Sequence, residues 1–248
     1  IFNPNHTWME YFNRLFGALT GLIITITMVI AFFQRKEFSN IFIASVVIFF
    51  LTLVEGWIGA KVVESHLASF VITIHLLFAL LIVSLQMYAY MRIKLNVKSS
   101  TSFYYDLSLP SYLKIMWVIT VLEILLGAHM REGIETLSKA FPNESSYFLL
   151  TTLGAFKYLH TGIGILLLVL IALIWNKVMM KSNPGNNAVV FSRILISLFV
   201  FQVFMGELMV FVSFSPYLRL LHMWGASISI SIIMGMYMIV NDYINKNA

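Results

Sequence analysis

Residues 67–91, LASFVITIHLLFALLIVSLQMYAYM, run for 25 positions without an Asp, Glu, Lys or Arg. About 20 consecutive apolar residues suffice to cross the hydrocarbon of a bilayer as a helix. The stretch therefore predicts a transmembrane helix with one imidazole, His75, inside it. Six more stretches of the same kind flank it: 8–33 and 40–60 before, and 111–130, 148–176, 190–212 and 217–241 after. Together they use most of the chain and leave no room for a soluble domain. The expectation is an all-α polytopic membrane bundle with seven helices present. The first stretch does not read as a signal peptide. It is too long, and Glu10, Asn13 and Arg14 stand where a basic leader would run into the apolar segment.

Composition agrees. Of the 248 residues 60% are hydrophobic and only 11% charged, about half the charge of a soluble domain. This excludes a soluble globular enzyme, a disordered chain and, despite a net charge of +5, a nucleic-acid binder. The absence of cysteine excludes disulfides, thiolate metal sites and thiol nucleophiles within these residues.

The chain repeats itself. A shift of 147 positions, without gaps, places Tyr11 on Tyr158, Gly17 on Gly164, Gly59 on Gly206, His75 on His222 and Ala79 on Ala226, with Asn13 on His160. The first three helices thus correspond to the last three. The fourth, 111–130, has a counterpart only ahead of Ile1, so the repeat predicts a further helix there. Eight helices would then form two parallel, pseudo-symmetric four-helix halves about an axis along the membrane normal. In this chain the halves are 1–98, with three of its four helices, and 99–248.

Loops this short let Lys and Arg set the orientation. The 34–39, 92–110 and 177–189 connections with their flanks and the C-terminal tail hold ten basic residues, against six on the other side. The first set is read as cytoplasmic. That puts the start of the chain outside and its C-terminus inside.

Ionisable groups inside a bilayer are functional candidates by default. His160 is expected about ten residues into its helix and His222 about five into the last one, roughly 8–15 Å deep at 1.5 Å per residue. Two imidazoles on separate helices at similar depth are what a membrane haem requires, one on each side of the iron. The alternative is two unrelated histidines hydrogen-bonded within the bundle. In the first half His75 matches His222, but Asn13 replaces the second histidine. Asn is a poor iron ligand, so this half has one good axial ligand and a weak or open position, unless it merely packs. Glu10 precedes Asn13 by three residues and could act as a proton donor or acceptor; otherwise it forms an i,i+4 salt bridge with Arg14. Its repeat counterpart is Lys157. Arg14 and Lys157 could pair with haem propionates at the outer surface. Glu55 and Gly59, and again Glu123 and Gly127, share an E-x-x-x-G spacing that allows close approach of a helix or cofactor. His6, His66 and His129 fall near outer ends and read as loop histidines, one of which could replace the missing ligand.

These features resemble the haem A synthase family over nearly the whole chain. The resemblance is carried by Trp8-Met-Glu-Tyr-Phe-Asn-Arg-Leu-Phe-Gly17, by Glu55 to Leu67 running on to His75, by Gly127-Ala-His-Met-Arg-Glu132, and by Tyr158-Leu-His160 with Leu220-Leu-His222-Met. It implies eight helices in two halves. It implies a haem b held by His160 and His222, and haem O as substrate in the first half, with His75 as axial ligand and Glu10 as the essential acid. The reaction would be stepwise oxidation of the C8 methyl of haem O to a formyl group, giving haem A in the bacterial cytoplasmic membrane. Implied partners are an unidentified electron donor, haem O synthase and terminal oxidase assembly factors. Two departures stand out: Asn13, where the family usually has a second histidine, and the lack of the cysteine pair of some members. The competing readings are a haem b electron-transfer subunit using only His160 and His222, and a non-catalytic haem-binding assembly factor.

Overall fold

The computed structural model describes residues 4–65, 68–97, 106–181 and 187–247. They form eight α-helices: α1 (Pro4–Phe33), α2 (Ser39–Glu64), α3 (Ser69–Val97), α4 (Leu109–Ala140), α5 (Ser146–Thr152), α6 (Ala155–Lys181), α7 (Asn187–Phe211) and α8 (Pro216–Asn247). All but α5 are long and apolar enough to cross a membrane. The protein is an all-α integral membrane protein. In lipid every backbone N–H and C=O must be satisfied within its own segment, which a helix achieves. Hydroxyls inside the spans follow the same rule. Thr25, Ser45, Thr52, Ser84, Thr120 and Ser229 each donate to the carbonyl four residues back, at 2.7 to 2.9 Å.

Two helices depart from the sequence expectation. The predicted span 148–176 is two helices, because the chain turns at Leu153-Gly154. Gly154 has φ 61°, the left-handed conformation that glycine adopts without steric cost. Ser145 caps α5 by accepting the Phe148 N–H at 3.2 Å. The predicted span 111–130 continues to Ala140. At about 48 Å it exceeds a hydrocarbon core of about 30 Å. Its added turns are held by Glu135, which pairs with Arg131 at 3.9 Å and Lys139 at 3.5 Å, while Met130 and Ile134 stay buried.

The chain divides into two compact units, residues 1–89 and 90–248. The expected boundary at 98 lies beyond the end of α3, whereas this division falls within it. In the first unit α1 packs along α2. Ile24, Ile48 and Ile82, one from each of α1, α2 and α3, form a buried cluster with Phe49, Leu51, Leu85 and Ala89.

In the second unit α4 packs on α6, α6 on α7, α7 on α8 and α8 on α4. This is a ring of four, with α6 and α8 at diagonal corners. The short α5 lies against α7 and α4. One end of the ring is dry: Leu109, Leu113 and Met116 of α4, Ile174 and Val178 of α6, Val189 and Leu195 of α7, and Ile233 and Met236 of α8 are fully buried. The other end is loose. No side chain of α6 before Leu167, and none of α8 before Gly225, is buried.

Candidate functional site

The loose end of the second unit carries the histidines. His160 lies five residues into α6 and His222 six into α8, about 8 and 9 Å from the helix starts at 1.5 Å per residue. The turn at Gly154 removes the expected difference in depth, since α6 starts at Ala155 and not at 148. Because α6 and α8 are diagonal, the two imidazoles belong to helices that face one another across the bundle.

Each histidine is held by the helix before it in the ring. Nδ1 of His160 is 3.0 Å from Oε1 of Glu123 on α4, in a contact bent away from a straight hydrogen bond. One turn further along α4, Gly127 leaves the space the ring uses: a Cβ there would lie 3.3 Å from Cε1 of His160. The packing is reciprocal, since a Cβ on Gly164, one turn past His160, would meet Oε1 of Glu123 at 3.4 Å. His222 sits the same way against Gly206 of α7, whose Cβ would be 3.9 Å from Cε1. One turn before Gly206 stands Gln202. Its amide fills the space beside Gly225, where a Cβ would overlap it.

The first unit contains a third copy. Nδ1 of His75 on α3 is 3.0 Å from Oε1 of Glu55 on α2, and a Cβ on Gly59 would lie 3.2 Å from Cε1 of His75. The 147-residue register that relates His75 to His222 also relates Glu55 to Gln202 and Gly59 to Gly206. The rule is therefore an acid or amide, three residues, a glycine, and then a histidine on the next long helix. The E-x-x-x-G spacing was visible in the sequence. Its pairing with particular histidines was not, and Gln202 escaped notice because it breaks the acidic pattern.

Buried polar atoms in folded proteins normally have partners. Among the described residues, those lacking one are Oε2 of Glu55 and of Glu123, both amide atoms of Gln202, Nε of Arg219, and Nδ1 of His75, His160 and His222. All belong to these three cradles or, for Arg219, to the turn before His222. No group of three His, Asp or Glu side chains gathers to enclose a metal ion among the described residues. Imidazoles presented singly from facing helices, above a loosely packed bundle end, form a donor set that fits a flat iron macrocycle better than a tetrahedral ion.

The other candidates are placed as follows. Glu10 bonds Arg14 on its own helix at 2.5 Å, and both are exposed. Asn13 is exposed as well. Among the described residues no hydrogen bond or ion pair links these three to His75. Lys157 is half-buried at the start of α6, its ammonium 4.9 Å from the ring centre of Tyr147 and 5.6 Å from that of Tyr158. His129 is exposed, 3.9 Å from Glu132, and packs edge-on against Phe156. His66 and the side chain of His6 lie outside the described residues. At the dry end Lys177 of α6 bonds Asp106 at 2.8 Å, and the Ser108 hydroxyl and N–H also donate to this carboxylate. These partners, the Lys177 ammonium first, hold the Asp106 carboxyl well below the usual carboxylate range.

A family model described as cytochrome oxidase assembly protein matches residues 2–162. The chain belongs to the haem A synthase family. It is 29% identical over 126 residues to a haem A synthase of Wolbachia sp. subsp. Brugia malayi (strain TRS), covering 48% of this chain and 37% of that protein. It is 32% identical over 109 residues to one of Ehrlichia ruminantium (strain Gardel), covering 39% and 31%. With that of Ehrlichia canis (strain Jake) it shares 26% over 193 residues, covering 66% and 52%. The chain thus spans from about a third to about half the length of these curated relatives. No solved structure matches it. The haem A synthase family match includes Glu10, Glu55, His75, Glu123 and His160 and stops before Gln202 and His222. For those two the internal repeat and the packing carry the argument.

Proposed function

We propose that this chain forms the haem-handling core of a haem A synthase, which oxidises the C8 methyl of haem O in steps to a formyl group. One observation carries the reading. Two imidazoles at similar depth on diagonal helices, each backed by a glycine of the neighbouring helix, lie at the loosely packed end of a bundle whose other end is dry. His160 and His222 would hold haem b, which supplies electron transfer when bound. Lys157, at the rim, is a cation suited to a propionate.

In the first unit His75 would hold the iron of haem O. Asn13 stands where the repeat has its second histidine, so that side offers a weak ligand or none. Glu10 would serve as the acid that moves protons during oxidation, with Arg14 beside it to hold its carboxylate or to engage a propionate. The site side of the bundle faces outward from the bacterial cytoplasmic membrane in this reading, and the basic loops face the cytoplasm. The partners would be an unidentified electron donor, haem O synthase and terminal oxidase assembly factors.

The test is expression of the full-length protein in a host that makes haem O but no haem A, followed by chromatographic separation of extracted haems. Haem A is the expected product. Haem B with unchanged haem O overturns the synthase reading and leaves the electron-transfer subunit or the haem-carrying assembly factor. Glu10→Ala should keep haem b and stop conversion; a normal yield of haem A removes Glu10 from the reaction.

A further inference from the structure

The three histidine cradles share a glycine behind the ring and differ in charge. Glu55 and Glu123 bring a carboxylate to Nδ1 of His75 and His160, each at 3.0 Å. The equivalent position behind His222 is Gln202, which is neutral. The two carboxylates are mostly buried, with side chains 15% and 14% exposed. Among the described residues their second oxygens have no hydrogen-bond partner. In a medium of low dielectric such a charge acts strongly over a few ångströms.

We infer that Glu123 is a positioning residue that makes His160 the electron-rich ligand of the α6–α8 pair, and that Gln202 leaves His222 the ordinary one. A carboxylate on one nitrogen of an imidazole fixes the tautomer and raises the basicity of the other nitrogen. That favours the oxidised state of a bound iron and lowers its reduction potential. The amide of Gln202 lies beside Gly225 and cannot supply this effect, since it has no charge. Gly59 and Gly127 let the rings of His75 and His160 approach the supporting helix closely enough for the carboxylate to come within 3.0 Å of Nδ1. Glu55 does for His75 what Glu123 does for His160. The inference rests on the reading of His160 and His222 as haem ligands.

The experiment is spectroelectrochemical titration of the low-spin haem in the purified full-length protein, with its low-spin electron paramagnetic resonance spectrum recorded alongside. Glu123→Gln keeps size and hydrogen-bonding capacity and removes only the charge, so the midpoint should rise with the low-spin spectrum retained. Glu123→Asp should restore most of the wild-type value. Gln202→Glu recreates behind His222 the arrangement seen at Glu55 and His75, so its midpoint should fall. Should Glu123→Gln lose its haem, Gln202→Glu alone decides. Unchanged midpoints in variants that retain the haem overturn the inference and leave the ligand assignment standing. A wild-type protein without low-spin haem overturns both.

Discussion

His160 and His222 are the residues on which the haem reading depends. Each has a glycine of the neighbouring helix at its back. His222→Ala should abolish the optical signature of a low-spin haem in the purified protein, and an unchanged spectrum would refute the assignment. The glycines are testable separately. A Cβ at Gly127 would sit 3.3 Å from the imidazole of His160, so Gly127→Val forces the ring or helix α4 to move, at about 1–3 kcal/mol for overpacking. Haem content should fall sharply in that variant. Gly17→Ala is the control, because nothing lies within 4 Å of its would-be Cβ; equal haem loss in both would mean that the space behind His160 is irrelevant. At this scale the histidines were legible, since an imidazole in an apolar run stands out. Glu10 was legible both as a candidate acid and as a salt-bridge partner of Arg14. The structure contains the salt bridge, because residues four apart on a helix surface are neighbours whatever else surrounds them.

At the scale of elements, the turn between α5 and α6 brings the two histidine depths into register. Gly154 takes φ 61° there, a conformation that costs residues bearing a Cβ about 1–2 kcal/mol. Gly154→Val should therefore lower the thermal midpoint in detergent and weaken haem retention, while Gly154→Asn, which tolerates this conformation better, should do less harm. Equal stability of all three proteins would show that the turn is not needed. The sequence pattern missed this break because residues 148–176 hold a single charged side chain, Lys157, and hydropathy does not register a single backbone rotation. The extra turns of α4 were missed for the converse reason. Arg131, Glu135 and Lys139 look like a loop by hydropathy, yet they form i,i+4 pairs on a helix that has left the hydrocarbon.

For the molecule as a whole, the dry end of the second unit is the scaffold and the loose end carries the candidate site. The scaffold carries a charged latch. Asp106, ahead of α4, is bonded to Lys177 near the end of α6 and to Ser108. Its carboxyl is held below the ordinary value near 4, chiefly by the Lys177 ammonium. A depressed folded-state pKa stabilises the fold above the unfolded-state value and loses that contribution as pH falls through the folded one. Asp106→Asn should therefore melt below the wild type at pH 7, and the gap should close as the pH drops below about 4. A gap independent of pH would mean that the loss comes from packing rather than charge.

The sequence alone determined that the chain is a set of membrane helices, that its first three helices recur 147 positions later, and that histidines stand inside its apolar runs. These properties are local or additive. Backbone hydrogen bonds in lipid close within one helix, and a lone imidazole in an apolar run is visible without knowing its neighbours. Tertiary structure alone decided which carboxylate backs which histidine, that α6 and α8 lie diagonally, and that the Gln202 amide packs beside Gly225. Those facts depend on helix order around the ring and on the rotation of each helix about its axis. Against uniformly apolar lipid no hydrophobic stripe marks the inward face. That face is set instead by where glycines let helices approach and where buried polar groups find one another.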